Sequence, residues 1–184
     1  MNSQIELDSI VEVINKANKI GIFTHVSPDG DDLPYGGAIY IIGNATLIDE
    51  CTFEDCNATN GGVIYIEGNG ATIDHSTFTG NYAKGDGGAI YVAGDNCILG
   101  NSTFDDNVAG DDGGAINWVG SYGTIYNVNF NNNRGISSGT SHSKGGSISL
   151  IGNSITIDKS TFTDSSVTYN GGALFITGND VNIT

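Results

Sequence analysis

Three groups of side chains in this sequence have types and spacings that could do chemistry. Tyr40, Tyr65 and Tyr91 recur at intervals of 25 and 26 residues, and aromatic faces at strand spacing could bind sugar rings or a partner surface. Cross-strand pairing that steadies a sheet is the other use of such a row. Acids cluster in GDGG at 85 and GDDGG at 110. Oxygen ligands from adjacent turns could hold Ca2+, but neither the G-G-x-G-x-D spacing nor an EF-hand loop is present, so these read as solvated turn acids. Asp105–Asp106 with Asp111–Asp112 come nearest to the paired carboxylates of a glycosidase. A lyase would need a cation beside its base, whereas Lys84, Arg134, Lys144 and Lys159 occupy different positions in the repeat described next.

These groups have to be positioned by an internal repeat, which dominates the chain from residue 36. A Gly pair, a small residue and an aliphatic recur as GGAI at 36, GGVI at 61, GGAI at 87, GGAI at 113, GGSI at 145 and GGAL at 171. Another Gly stands seven residues after each first Gly, from Gly43 to Gly178. A Phe stands seventeen residues after it, at Phe53, Phe78, Phe104, Phe130 and Phe162. Between these markers apolar and polar residues alternate in short runs, the period of strands. Ile39, Ile64, Ile90 and Ile116 share one column, and Ile48, Ile73, Leu99 and Ile125 share another. Three short strands in about 26 residues, separated by Gly and Asn turns, make one rung of a parallel β-helix whose stacked rungs bury a continuous core. Asn81, Asn107 and Asn133 fall in one column suited to an Asn ladder, with Cys56 in the place of its first member. Thr52, Thr77, Thr103 and Thr161 are expected to face out. Cys51 and Cys97 read as small core residues, and a disulfide involving Cys51 and Cys56 stays open. The longer fourth repeat places its extra residues in GISSGTSHSK, expected to emerge as a loop.

Composition agrees with this reading. Of 184 residues 28 are Gly and 2 are Pro, a turn-rich and β-prone mix. The net charge of −15 argues against a nucleic-acid backbone or an anionic membrane as partner. No apolar run approaches the roughly 18 residues of a membrane span, and the first twenty residues do not read as a signal peptide. Three Cys leave the redox compartment undecided. Sequons at Asn44, Asn57, Asn101 and Asn182 permit a secreted setting without requiring one.

The recurring GGAI with F-x-x-N, present as FTGN at 78, FDDN at 104 and FNNN at 130, resembles the chlamydial polymorphic membrane proteins and the adhesin-like β-helix proteins of methanogens and other microbes. That resemblance implies an all-β, right-handed, single-stranded parallel β-helix over 36–184, of about five and a half rungs. It also implies adhesion or display at a cell surface, with a protein or carbohydrate ligand. The last repeat stops at Thr184 before its Phe column. The expectation there is a fragment of a longer solenoid or, through an open β-helix edge, end-to-end self-association.

Residues 1–35 differ in character. Leu7, Ile10, Val11 and Ile14 fall on one face of a helix, and a short strand from Ile20 to Thr24 leads into HVSPDGD. The run SIVEVINKANKIGIFTHVSPDGDD resembles the start of the DHH phosphoesterases. By that resemblance His25, Asp29 and Asp31 would stand at Mn2+-ligand positions, a donor set fit for such an ion. After Asp31 the chain continues Asp32-Leu33-Pro34-Tyr35 into the repeats, with no Asp-His-His triad, and a two-metal hydrolase needs ligands from several loops. A helix–strand cap over the first rung, with no catalysis and no cofactor, is therefore expected. Mn2+ would enter only if the DHH-like motif functions. The alternatives are a truncated or chimeric DHH-type phosphoesterase and a polysaccharide-processing β-helix enzyme.

Overall fold

The computed structural model describes residues 39–137 and 142–184. The expected N-terminal cap, with His25, Asp29 and Asp31, lies outside them, as does part of the inserted GISSGTSHSK. Among the described residues there is no helix, and the chain winds as a right-handed parallel solenoid of about five turns.

Each turn contributes to four parallel sheets, one more than the three strands per rung read from the sequence. The first sheet stacks Ile39–Ile41, Ile64–Ile66, Ile90–Val92, Ile116–Trp118, Ile148–Leu150 and Leu174–Ile176. The second stacks Leu47–Asp49, Thr72–Asp74, Ile98–Gly100, Thr124–Tyr126, Thr156–Asp158 and Asn182–Ile183. The third holds the Phe column, from Thr52–Glu54 to Thr161–Thr163. The additional fourth sheet is made of two-residue strands, such as Tyr82–Ala83 and Val108–Ala109. Its inward residues are small, Ala58, Ala83 and Ala109, and two residues are too few to show alternation. The register is unbroken: Ile39 pairs with Ile64, Phe78 with Phe104, and Leu99 with Ile125.

The corners explain the Gly, Asn and Asp content. Every described coil turns between sheets through a residue of positive φ, as at Gly70, His75, Gly80 and Gly87, or Asn96, Asn101, Asp106 and Gly113. Gly and, among the rest, Asn and Asp enter this left-handed region at least cost. Gly87–Gly88 shows why the pair recurs. Gly87 has φ +66, and a Cβ on Gly88 would lie 1.9 Å from the Gly114 carbonyl oxygen of the next coil.

The inward columns form one core, with Ile64, Ile90, Phe78, Phe104 and Ile116 almost wholly buried. Departures from the repeat come in compensating pairs. Trp118 fills an aliphatic position at 1% exposure, and Gly123 makes the room: a Cβ there would meet the indole at 2.5 Å. At the C-terminal coil Leu174, Phe162 and Val181 are only partly buried and Ile183 is 54% exposed.

Polar ladders close the stack. The Asn81 N–H and Nδ2 both donate to Asn107 Oδ1, and those of Asn107 donate to Asn133 Oδ1, all at 2.9–3.1 Å. The Cys56 N–H donates to Asn81 Oδ1, so Cys56 does hold the first place in this ladder. Cys51 is a small core residue as expected, but its column is a second ladder that continues as Ser76 and Ser102 rather than an apolar one. Its N–H donates to Ser76 Oγ, and the Ser76 N–H to Ser102 Oγ. All three cysteines are buried and none is in a disulfide. The Thr column faces outward as expected, exposed at Thr52 and Thr161 and half-buried at Thr77 and Thr103.

Candidate functional site

The tyrosine row lies on the outer face of the first sheet, where strand alternation puts it. Its three members are not equally outside. Tyr40 is 44% exposed, Tyr91 is half-buried, and Tyr65, expected on the surface, is buried at 8%. The rings of Tyr65 and Tyr91 stack at 4.6 Å and 5°, and Tyr40 tilts against Tyr65 at 5.5 Å. Stacked rings spend their faces on each other, so this row offers ring edges and one outer ring to a ligand. That geometry is the sheet-steadying use of the row.

Tyr65 is covered by the ring on either side, and further along the row the turns before the Gly pairs come over the outer face. Asn60, Asp86, Asp112 and Lys144 occupy one column in those turns. The Asp86 carboxylate accepts from the Asn117 side chain. The Lys144 ammonium reaches 3.8 Å from Asp112 Oδ2 and lies 5.3 Å from the centre of the Phe175 ring. Beneath this cover Asn117 and Ser149, which continue the tyrosine row, are buried, and Asn117 Oδ1 and Ser149 Oγ have no hydrogen-bond partner.

Asp86 and Asp112 are therefore not the solvated turn acids expected from the sequence. They are half-buried acceptors between coils. The Asp86 N–H donates to Asn60 Oδ1, the Asp112 N–H to Asp86 Oδ1, and the Lys144 N–H to Asp112 Oδ1, at 2.9–3.0 Å. Burial holds both carboxyls above the usual aspartate range, helped at Asp86 by the Asp111 charge and opposed by the Asp112 N–H, Asn117 and Lys144. Burial and the Asp86 charge likewise push the Tyr91 phenol up.

A raised carboxyl means that the folded chain holds more protons than the unfolded one. Stability from this source is complete below the ordinary aspartate value of 3.8 and is lost as pH rises through the higher folded value. Asp86→Asn keeps the acceptor that Asn60 already supplies one coil earlier and removes the charge. It should raise stability at pH 7 and flatten the fall in stability above the ordinary aspartate value. Urea denaturation of both chains at several pH values measures this, and a less stable variant at pH 7 would contradict it.

The paired acids read as a possible hydrolytic pair sit at different corners of the coil. Asp105 Oδ1 accepts from Asn131 at 2.6 Å and Asp106 accepts from Asn132, on the third sheet and its corner, whereas Asp112 belongs to the turn just described. Lys84, Arg134, Lys144 and Lys159 are likewise spread: Arg134 is in the fourth sheet, and Lys159 pairs with Asp158 beside the second. One grouping was missed in the sequence. Asp49, Asp74 and His75 converge on the outer edge of the second sheet. Their shared location follows from the 25-residue register, which puts Asp74 beside Asp49.

A family model described as a right-handed β-helix region matches residues 16–184, and the chain belongs to that family. No curated protein and no solved structure matches it. The family defines the solenoid and leaves the ligand open.

Proposed function

We propose that this protein is a non-catalytic display solenoid of the adhesin-like kind, presenting its lateral faces to a protein or carbohydrate ligand at a cell surface. One observation carries the reading: beside a glycine column that never varies, the neighbouring outward column changes from coil to coil. Gly43, Gly68, Gly94, Gly120, Gly152 and Gly178 never vary, and from Gly68 onward each approaches the backbone of the preceding coil, as Gly94 does the Gly68 carbonyl. One residue earlier the outward column runs Ile42, Glu67, Ala93, Val119, Ile151 and Thr177. Ile42, Val119 and Ile151 there are 36–62% exposed, on a scaffold whose fold does not require them. A rigid stack carrying variable, partly apolar outward residues is what recognition needs. Among the described residues an interior gap lined by Ile66, Cys97 and Trp118 is about 10 Å³, room for no more than a water.

The test is to probe arrays of glycans and extracellular proteins with the intact chain, while assaying polysaccharide cleavage and Mn2+-dependent phosphodiester hydrolysis in parallel. Saturable binding without turnover is expected. Turnover of a polysaccharide, or of a phosphodiester in a manner abolished by Asp29→Ala, would replace this reading with an enzymatic one.

A further inference from the structure

We propose that Asp49, Asp74 and His75 bind a four-coordinate divalent transition-metal ion, Zn2+ by the chemistry of the donors, on the outer face of the second sheet. These residues are other than the His25, Asp29 and Asp31 set, and no part of the β-helix repeat requires them.

The geometry begins with register. Asp49 and Asp74 are paired residues on adjacent strands, both on the outward side of the sheet. Their side chains are largely withdrawn from solvent, at 18% and 21% exposure. His75 follows directly as the corner residue, and its positive φ of 45° swings the imidazole back over the two acids. His75 Nδ1 lies 3.4 Å from Asp49 Oδ1 and 3.3 Å from Asp74 Oδ2. Zn–N and Zn–O bonds of about 2.0–2.2 Å place neighbouring tetrahedral ligands about 3.3–3.6 Å apart. The imidazole therefore already stands at the separation that one ion between these atoms demands. One donor atom from each residue lies within 4.8 Å of the others, so small side-chain rotations complete the set.

The donors select the ion. One imidazole nitrogen with two carboxylate oxygens suits Zn2+ and its neighbours, whereas Ca2+ and Mg2+ take oxygen ligands in larger number. Three protein ligands leave the fourth position to water, and the 58% exposed His75 side opens it to solvent. A divalent cation also neutralises two like charges held side by side on a strongly acidic chain.

Surrounding groups orient the acids. Asn101 Nδ2 and the His75 N–H both donate to Asp74 Oδ1, at 2.8 and 3.2 Å, which turns Oδ2 toward the His75 ring. The Tyr126 ring lies across Gly100, where a Cβ would come within 2.2 Å of it, and its hydroxyl reaches 3.3 Å from Asn101 Nδ2 and 3.5 Å from Asp74 Oδ2. Gly100 interrupts a column that otherwise carries Asp49, Asp74, Tyr126 and Asp158. Its missing side chain lets a residue two coils from Asp74 wall the site. Outer-shell support of this kind is what metal ligands ordinarily receive.

The test is calorimetric titration of the chelator-stripped full chain with Zn2+, with Co2+ as a spectroscopic probe. It is run in a His25→Ala/Asp29→Ala background so that the other donor set cannot contribute. One equivalent should bind, Co2+ should show the strong visible bands of four-coordination, and Zn2+ should raise the unfolding midpoint. His75→Asn preserves the corner, because Asn101 and Asn127 occupy it at φ 45° and 51°. That variant and Asp49→Asn should each weaken binding more than about 100-fold, beyond the 10–100-fold typical of an outer-shell partner. Asn101→Gly should fall within that smaller range. Failure of the background chain to bind an equivalent, or binding unchanged by His75→Asn, would overturn the assignment.

Discussion

Phe104→Ala should cost about 4–5 kcal/mol, the upper part of the range for removing a buried phenyl ring. Phe104 is wholly buried and stacked on both sides, against Phe78 at 4.6 Å and 4° and against Phe130 at 5.1 Å and 17°. The substitution empties a ring-sized volume in the third sheet and breaks two aromatic pairs, each worth about 0.5–1.5 kcal/mol beyond its buried area. Neighbouring coils cannot collapse into the gap, because their register is fixed by four sheets at once. Phe162, partly exposed and stacked on Phe130 alone, is the internal comparison: its replacement by Ala should cost roughly 1–2 kcal/mol. Urea denaturation with linear extrapolation reads both values. All of the strand pairing runs between adjacent coils, so a decoupled middle should also lower the m value as the array begins to unfold in two parts. Equal losses at 104 and 162 would show that the Phe stack is not what couples the coils.

The features legible in the sequence are those where a coil meets its neighbour and one residue type alone fits. Gly88 is closed to any side chain by a carbonyl of the next coil, and the Asn107 amide both accepts from the coil before and donates to the coil after, so these columns repeat and betray the period. What was not legible involves contacts between different columns. Tyr65 and Asn117 alternate like outward residues, yet Tyr65 lies between two neighbouring rings and Asn117 meets the Asp86 carboxylate of a turn, and no periodicity records such contacts. Contacts of this kind turned Asp86 and Asp112 from solvated acids into half-buried ones. The fourth sheet escaped because its strands are two residues long and point Ala inward. Trp118 with Gly123, and Tyr126 with Gly100, look like separate irregularities until neighbouring columns are compared. The Asp49, Asp74 and His75 grouping was hidden for a related reason, since it needs a corner residue of positive φ to point back along the strand.

Asn107→Ala should be as damaging as loss of the Phe, although it removes only a small polar side chain. Asn107 is fully buried. Its Oδ1 accepts from the Asn81 N–H at 3.1 Å and from Asn81 Nδ2 at 2.9 Å, while its Nδ2 donates to the Phe78 carbonyl and to Asn133 Oδ1, each at 3.0 Å. Alanine satisfies none of these, so the Asn81 N–H, the Phe78 carbonyl and one amide donor of Asn81 lose their protein partners. At about 1–3 kcal/mol for each buried polar group left unpaired, the loss should reach roughly 4 kcal/mol. Asn81→Ala should cost less, because the preceding place in the ladder is Cys56, which presents only its backbone N–H to Asn81 Oδ1. Asn107→Asp separates the acceptor from the donor. It keeps Oδ1 for Asn81 but buries a charge between two carbonyl oxygens, so it should be the least stable of the three at pH 7 and recover as the pH falls and the carboxyl takes a proton. Thermal and urea unfolding of the three variants at pH 7 and pH 4 tests the order. An Asn107→Ala chain as stable as Asn81→Ala would mean that the side-chain amides do not act as a continuous ladder.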